Sequence, residues 1–171
     1  MLSEKVQNAL NHQLNAELYS SYLYLSMSAY FSHTDLEGFA HWMYIQAQEE
    51  ALHAKKFYDF INQRGGRVNL TQIDAPPTDW ESPVAVFENT LDHECKVTSL
   101  INELVDTAME ERDHATSIFL QWFVTEQVEE EENVGSVLQK LKLLKDSKNG
   151  LFMINRELLQ RGSVTITEET D

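Results

Sequence analysis

Cysteine, proline and glycine are scarce in this chain of 171 residues, which contains one, three and six of them. The lone Cys95 can form no internal disulfide, and it excludes every metal or redox site that needs a Cys-x-x-Cys pair. So few prolines and glycines leave long stretches without helix breakers, which favours long helices. We also find no signal peptide and no apolar run of membrane-spanning length, so we expect a cytoplasmic protein.

Positive charge is in short supply as well. Thirteen lysines and arginines stand against 28 aspartates and glutamates, so the net charge is −15. Such a surface repels a nucleic-acid backbone and an anionic membrane and attracts cations, and we therefore expect neither nucleic acid nor a membrane as a partner. Taken alone, the charge is equally compatible with acidity that only provides solubility.

The apolar residues, 42% of the chain, recur three or four positions apart and predict an all-α fold with one domain over residues 1–171. We predict helices over about 4–32, 35–64, 83–111, 114–145 and 148–160, followed by a polar tail over 162–171. The residues at 34–37 have the pattern of a capping box that opens the second helix. Ser82 and Asp113 are predicted to cap the third and fourth helices, and Ser147 the fifth.

Residues 65–82 carry no helical pattern and form an unusually long connection. About 18 extended residues reach about 59 Å, whereas a helix of about 28 residues is about 42 Å long. The connection can therefore run the length of a bundle and leave the second and third helices parallel, whereas the two short connections each join an antiparallel pair. This predicts a four-helix bundle with one long crossover loop, plus a short fifth helix that needs a surface to pack on.

Four glutamates lie on the apolar stripes of four different helices, each near the middle of its helix: Glu17, Glu50, Glu94 and Glu130. Such carboxylates would lose hydration and repel one another in a core, and a bound multivalent cation removes both costs. His53 adds an imidazole one turn after Glu50 on the same face. Oxygen and imidazole ligands together suit iron, manganese or zinc better than calcium or magnesium. The set predicts a metal centre in the core of the bundle.

The sequence around these positions carries a wider set of motifs. They are Asn15-Ala16-Glu17-Leu18-Tyr19-Ser20, Gln48-Glu49-Glu50, Phe119-Leu120-Gln121-Trp122 and Glu126-Gln127-Val128-Glu129-Glu130-Glu131. With the four glutamates and the histidine they resemble the ferritin-like di-iron family, specifically prokaryotic non-haem ferritins, over the chain to about Arg161. Ferritin-like bundles are known for a carboxylate di-iron site of this kind.

The resemblance implies iron storage and detoxification. A ferroxidase centre within each subunit would oxidise Fe(II) with dioxygen or peroxide, and ferric mineral would collect inside a homo-oligomeric cage, typically of about 24 subunits. One iron would bind Glu17, Glu50 and His53. The second would bind Glu50, Glu94 and Glu130, with Glu50 as the bridge.

Further residues are assigned around this centre. By the resemblance, Gln127 lies beside the site, and Glu49, Glu126 and Glu129 form a third, more peripheral iron site. Spacing independently places Glu126 and Glu129 on one helical face. Tyr24 lies two turns from the glutamate of the first helix, so its phenol is expected to act there as a hydrogen-bond partner or an electron donor.

Four other functions are weighed against iron storage. A di-iron enzyme for an organic substrate or peroxide predicts a second Glu-x-x-His, but the fourth helix offers Gln127-Val128-Glu129-Glu130 instead. A rubrerythrin-like peroxidase needs four cysteines, and a miniature DNA-protecting ferritin normally lacks the fifth helix. A purely structural bundle is disfavoured by the repulsion among four core carboxylates.

The remaining candidate residues receive ordinary interpretations. Cys95 is predicted to be a small buried residue, and Trp122 to pack in the core. Five histidines are interpreted as surface or packing residues: His12, His33, His41, His93 and His114. By family analogy, an ion channel in an assembly is expected to be lined by Glu110, Glu111 and Asp113.

Overall fold

A computed structural model of the protein describes residues 2–144 and 147–162. The chain forms five helices in these ranges: α1 (Glu4–His33), α2 (Glu37–Gln63), α3 (Pro83–Glu110), α4 (His114–Leu143) and α5 (Lys148–Leu158). The predicted all-α fold with a short fifth helix is confirmed. The predicted helix end at 145, and the predicted tail beyond Gly162, lie outside the described residues.

Four of the five helices begin at a side chain that accepts a hydrogen bond from a backbone N–H of the first turn. These caps are Ser3, Ser82, Asp113 and Ser147, which accept from Val6, Ala85, Thr116 and Gly150. Each of them satisfies one of the backbone N–H groups that a helix start leaves without a partner. Local sequence thus explains where α1, α3, α4 and α5 begin.

The start of α2 differs, and the predicted capping box is wrong. Thr34 ends α1, with its N–H donating to the Tyr30 carbonyl at 3.2 Å, and the Leu36 N–H closes back on Phe31 at 3.0 Å. Between them Asp35 adopts a left-handed conformation with φ of 60°. These residues are used to terminate α1, so α2 begins only at Glu37, with the apolar Leu36 as its N-cap.

The cap of α2 comes from α5 instead. Asn155 Oδ1 accepts hydrogen bonds from the backbone N–H of Gly38, at 2.8 Å, and of Phe39, at 3.3 Å. The two helices approach so closely that a Cβ atom on Gly38 would lie 1.7 Å from the Asn155 carbonyl oxygen. A residue 117 positions away therefore completes the start of α2.

Contacts between helices establish their directions. Ser21 Oγ donates to the Ala47 carbonyl and Ser28 Oγ to the Ala40 carbonyl, so α1 and α2 are antiparallel. Contacts of α2 with α4 likewise pair early residues with late ones, since Gln46 meets Glu130 whereas Phe60 stacks on Phe119. The short link 111–113 makes α3 antiparallel to α4. Because α2 and α3 are each antiparallel to α4, they are parallel to each other, as predicted.

The crossover 65–82 lies along α1. Its hydrogen bonds to that helix, in chain order, join Arg67 N to Gln7 Oε1 (2.8 Å), Asn69 N to Asn11 Oδ1 (2.7 Å), the Pro77 carbonyl to Ser26 Oγ (2.6 Å) and the Trp80 carbonyl to Tyr30 OH (2.9 Å). The contact points on α1 advance steadily from Gln7 to Tyr30. The loop therefore travels most of the length of the bundle, which confirms the predicted crossover.

Two apolar clusters fill the bundle, one toward each end. One includes Phe31, Phe39 and Phe87, and the other includes Leu10, Phe57 and Phe123. The glutamates on the four apolar stripes belong to neither cluster, because they lie in a polar layer between the two. The fold thus places a ring of acids at the middle of the bundle, enclosed above and below by hydrocarbon.

Cys95 does not have its predicted place in the core. Its side chain is exposed on α3, whereas Glu94 and Val97 on the same helix are buried. A position about 100° from Glu94 on a helix faces away from the bundle axis, so the spacing that removes Cys95 from the metal site also removes it from the core.

Within residues 2–144 and 147–162, none of the helices has both the length and the apolar character that a membrane span needs.

The contact between α2 and α5 can be tested with two glycine substitutions. We expect Gly38→Ala to lower the unfolding free energy by at least about 1 kcal/mol, because the new methyl group pushes Asn155 off the α2 N-terminus. Gly135→Ala is the matched control, because a Cβ there would meet no described atom within 4 Å. That change should stabilise α4 by up to about 1 kcal/mol. Thermal unfolding and hydrogen exchange of α5 measure both effects, and equal behaviour of the two variants would contradict this view of the contact.

Candidate metal centre

One carboxylate from each of the four long helices enters the polar layer. Glu17, Glu50, Glu94 and Glu130 are at most 4% exposed. Each has a partly or fully buried apolar residue one turn before or after it on its own helix (Leu14, Ala47, Leu91 and Val134 respectively), so the local amphipathic pattern turns it inward. All four side chains are buried, as their places on the apolar stripes predict, and their role as metal ligands stays a prediction.

Glu17, Glu50 and His53 form the tightest group. One ligand atom from each can be chosen so that all three lie within 4.8 Å of one another, and all three side chains are buried. Glu50 Oε2 is 3.2 Å from His53 Nδ1, as expected for residues three apart on a helix. Such a cluster of carboxylate oxygens and an imidazole nitrogen has the composition of a transition-metal site.

The two carboxylate oxygens of Glu17 have different surroundings. Oε1 accepts a hydrogen bond from Gln13 Nε2 at 2.8 Å. Oε2 is also buried, and within residues 2–144 and 147–162 it has no hydrogen-bond partner. A buried carboxylate oxygen without a partner is costly. A cation between Glu17, Glu50 and His53 would satisfy it, so the residues present fit a metal ion.

Glu94 is held from two sides. The Tyr24 hydroxyl donates a short hydrogen bond to Glu94 Oε1, and Gln127 Nε2 donates to Oε2 at 3.2 Å. Tyr24 is fully buried and Gln127 is 4% exposed. The structure therefore places both residues beside the acidic layer, where they orient a carboxylate.

Glu130 and Glu50 share an amide that the sequence did not mark as a site residue. Gln46 Nε2 donates to Glu130 Oε2 at 2.6 Å and lies 3.4 Å from Glu50 Oε1. Gln13 holds Glu17 in a similar way. Both glutamines precede a core glutamate by four residues, and this Gln-x-x-x-Glu spacing on an inward stripe is the signal that could have found them.

Burial raises the pKa values of these four acids. Desolvation, followed by the nearby charge of Glu50, raises the pKa of Glu17 to about 8. Desolvation and the charge of Glu94 raise the pKa of Glu130 to about 7. The pKa values of Glu50 and Glu94 are also raised, again chiefly by desolvation. The metal-free layer therefore holds protons near neutral pH, and a cation that binds there must displace them.

The three residues expected at a peripheral site are in different situations. Glu126 Oε1 lies 3.9 Å from His53 Nε2, on the far side of the imidazole from Glu50, and burial raises the pKa of Glu126. Glu49 is paired with the guanidinium of Arg161. Glu129 is exposed on α4. The structure thus brings Glu126 next to the central cluster but leaves Glu49 bound to another cation.

Trp122 does not pack in the core, so that interpretation is wrong. It is 40% exposed and meets His53 edge-on, with ring centroids 5.3 Å apart. Lys56 Nζ lies 4.0 Å from the centroid of the Trp122 ring. The indole lies at the edge of the inward face of α4. It therefore contacts the His53 ring while part of it stays exposed to solvent.

The acids at the junction of α3 and α4 have local partners. Asp113 Oδ1 and Oδ2 accept from Arg64 at 3.0 and 3.1 Å, and Oδ1 also caps α4. Glu110 accepts from Lys5 at 2.6 Å. These contacts tie the helix ends together within one chain. The ion channel expected there stays a prediction about an assembly.

Known proteins share both the sequence and the fold. The family model of the ferritin-like domain matches residues 7–144. A bacterial non-heme ferritin from Bacteroides fragilis is 48% identical over 161 residues, which cover 94% of this chain and 100% of that protein. Another, from Staphylococcus saprophyticus, is 40% identical over 161 residues, which cover 94% of this chain and 96% of the relative.

Solved structures agree. An open-pore ferritin from the hyperthermophilic archaeon Archaeoglobus fulgidus superposes with a TM-score of 0.94 at 50% identity, covering 95% of this chain and 100% of that one. With the family match and the relatives above, this confirms the resemblance on which the site was interpreted. The chain belongs to the ferritin family, and its near relatives there are non-haem ferritins.

Proposed function

We propose that this protein oxidises Fe(II) at the acidic layer and stores the ferric product inside a cage built from its own copies. The observation that carries the proposal is the set of four buried carboxylates and one imidazole with an oxygen of Glu17 left unpartnered. Iron is the substrate of this site. Two Fe(II) ions each give one electron to dioxygen, which with two protons becomes hydrogen peroxide.

The proximity of the side chains supports two adjacent iron positions. Glu17 and His53 face Glu50 on one side. Gln46 Nε2 lies 3.4 Å from Glu50 Oε1 and 2.6 Å from Glu130 Oε2, and the charges of Glu94 and Glu130 help to raise the pKa of Glu50, so both acids also lie close to it. We therefore propose Glu50 as the bridge between the two ions. Anionic oxygen ligands stabilise Fe(III) more than Fe(II), which favours the oxidation.

Neighbouring side chains keep the acids in place. Tyr24 and Gln127 each donate to Glu94, and Gln46 donates to Glu130. Groups of this kind orient the ligands of a metal before it arrives. Tyr24 is also close enough to supply an electron. A symmetric site would have a second Glu-x-x-His motif on α4, but the chain has Gln127-Val128-Glu129-Glu130 there. The second iron therefore lacks a histidine and is held more loosely. That suits an ion in transit to a store.

Storage and assembly rest on the family and on the surface of the chain. The net charge of −15 suits an inner surface that collects iron. Phe152 and Met153 on α5 are 60% and 68% exposed in the single chain, which is expected of a helix that packs against other subunits. We propose a cage of about 24 subunits in the cytoplasm, with Glu49, Glu126 and Glu129 as a third iron site.

Removal of two ligands tests the ferroxidase centre. We expect Glu50→Ala with His53→Ala to slow iron oxidation by more than about 100-fold, because both iron positions lose a ligand, whereas loss of an outer group costs 10- to 100-fold. Fe(II) is added to the metal-free protein in air, and oxygen uptake, Fe(III) absorbance and particle size are recorded together. Wild-type protein should form a large particle that retains many irons per chain.

The matched control is Glu103→Ala with His33→Ala, which removes the same residue types from exposed positions. It should oxidise iron at the wild-type rate. Fast oxidation by the Glu50 and His53 variant would refute the proposed site, and a wild-type particle that retains only two irons would refute storage.

The raised pKa of Glu17 predicts how the metal-free protein responds to pH. The folded state keeps a proton on Glu17 up to a pH of about 8, whereas the unfolded chain releases it near its ordinary value of 4.5. The stability from this protonated acid is complete below the unfolded value and is lost as the pH rises through the folded value. Glu17→Gln cannot ionise, so its advantage over wild type should be small at about pH 5 and larger at about pH 8.5.

The measurement is the thermal unfolding midpoint of both proteins at one scan rate, with a chelator present. When Zn(II) replaces the chelator, it should reverse the order at the higher pH by stabilising wild type more than the Glu17→Gln variant. An equal difference between the two metal-free proteins at both pH values would show that Glu17 is not a buried protonated acid.

A further inference from the structure

Arg161, three residues beyond the end of α5, reaches back to α2 and binds it at several points. Its guanidinium pairs with the carboxylate of Glu49 and donates to Gln46 Oε1 at 2.8 Å and to the Trp42 carbonyl at 3.4 Å. The guanidinium carbon also lies 4.4 Å from the centroid of the Trp42 ring. Planar stacking combined with several directed hydrogen bonds is a geometry that arginine can make and lysine cannot.

The ion pair is shielded from solvent. The side chains of Arg161 and Glu49 are 19% and 23% exposed. A partly buried pair is screened less by salt than a surface pair, and loss of one partner leaves the other charge poorly solvated. The Arg161 backbone is held as well, since its carbonyl oxygen lies 2.9 Å from His41 Nε2.

Through Gln46, this arginine also touches the metal layer. Because Gln46 Oε1 accepts from Arg161, the amide is oriented with its Nε2 toward Glu130, at 2.6 Å, and Glu50, at 3.4 Å. A free amide could turn over and present its oxygen to those acids instead. Arg161 is therefore a positioning residue for two of the proposed iron ligands.

Glu49 takes part both in the contact with Arg161 and in the proposed binding of iron. It is one of the three acids of the proposed third site, and its carboxylate already has a cationic partner. An iron ion that bound Glu49 would have to displace the guanidinium or share the carboxylate with a like charge. Either event costs free energy.

We propose that Arg161 is an internal cation that competes with iron for Glu49, so that metal binding at the peripheral site releases Arg161 and loosens residues 159–162. This inference rests on the proposed function. The competition weakens the peripheral site relative to the central one, so iron occupies the centre first. By linkage, the effect is reciprocal: whatever anchors Arg161 lowers the affinity for metal, and metal loosens the anchor.

A Zn(II) titration of the metal-free assembled protein tests the competition without redox chemistry. We expect Arg161→Gln to raise the affinity of the weakest Zn(II) site by about three- to tenfold, because Glu49 no longer has to give up a charge-assisted partner. No central site should gain affinity, because the variant removes there only a contact that positions Gln46. The matched control is Lys140→Gln, which removes an equal charge and the 2.5 Å pair between Lys140 and Glu157 on α5, far from the acids. It should leave every Zn(II) affinity unchanged.

A double-mutant cycle assigns the effect to Glu49. In a Glu49→Gln background, Arg161→Gln should no longer raise the affinity of the weakest Zn(II) site, because the competing pair is already absent. An unchanged gain in that background would overturn the proposal, since Arg161 would then act by general charge alone. Arg161→Lys keeps the charge but loses the stacked, multiply bonded geometry, so it should fall between wild type and Arg161→Gln.

Hydrogen exchange supplies an independent readout. In wild-type protein, saturating Zn(II) should speed exchange in peptides covering residues 157–162, and the metal-free Arg161→Gln variant should already exchange fast there. Particle size is checked for each variant. If Arg161→Gln does not assemble, Arg161→Lys is used for the test. Tight central Zn(II) binding with no difference between wild type and the arginine variants would overturn the competition alone. Failure of wild type to bind Zn(II) centrally would instead overturn the proposed function.

Discussion

The mutual repulsion and desolvation of four core carboxylates is the constraint around which this protein is arranged. Glu17, Glu50, Glu94 and Glu130 lie between two apolar clusters, where an ionised acid is costly. Protons relieve the cost in the metal-free state, which is why the pKa values of these acids are raised. A metal ion relieves it more completely by replacing the protons with a positive charge. The same physical penalty that destabilises the empty layer therefore favours its proposed cargo.

Around the acids lies a second set of polar side chains whose task is orientation. Gln13 serves Glu17, Gln46 serves Glu130 and Glu50, and Tyr24 and Gln127 serve Glu94. Each of these donors is itself buried, so it loses rotational freedom on folding and not when metal binds. Arg161 extends the set outward by orienting Gln46 and neutralising Glu49. A short segment after α5 is in this way connected to the centre of the bundle.

Two of the three errors in the sequence interpretation share one cause. The residues at 34–37 match a capping box that could open α2, yet they terminate α1. Their local sequence is compatible with either role, and the packing of α1 against α2 decides between them. Trp122 is apolar enough for a core position, but its helix face meets the surface beside His53. Both outcomes depend on what lies opposite the residue, and local pattern carries no information about that. Cys95 is different, because its offset of about 100° from Glu94 on α3 already indicates an exposed position.

The sequence by itself determined the helices, the crossover and the set of inward acids, because helical periodicity, capping residues and the reach of an extended chain are local properties. Even the family could be identified from motifs within single helices. Only the tertiary structure decided which donor meets which carboxylate, that Asn155 caps α2, and that Arg161 pairs with Glu49. The last two contacts join residues more than 100 positions apart, and their partners are chosen by the packing of α5 on α2, which no single segment specifies.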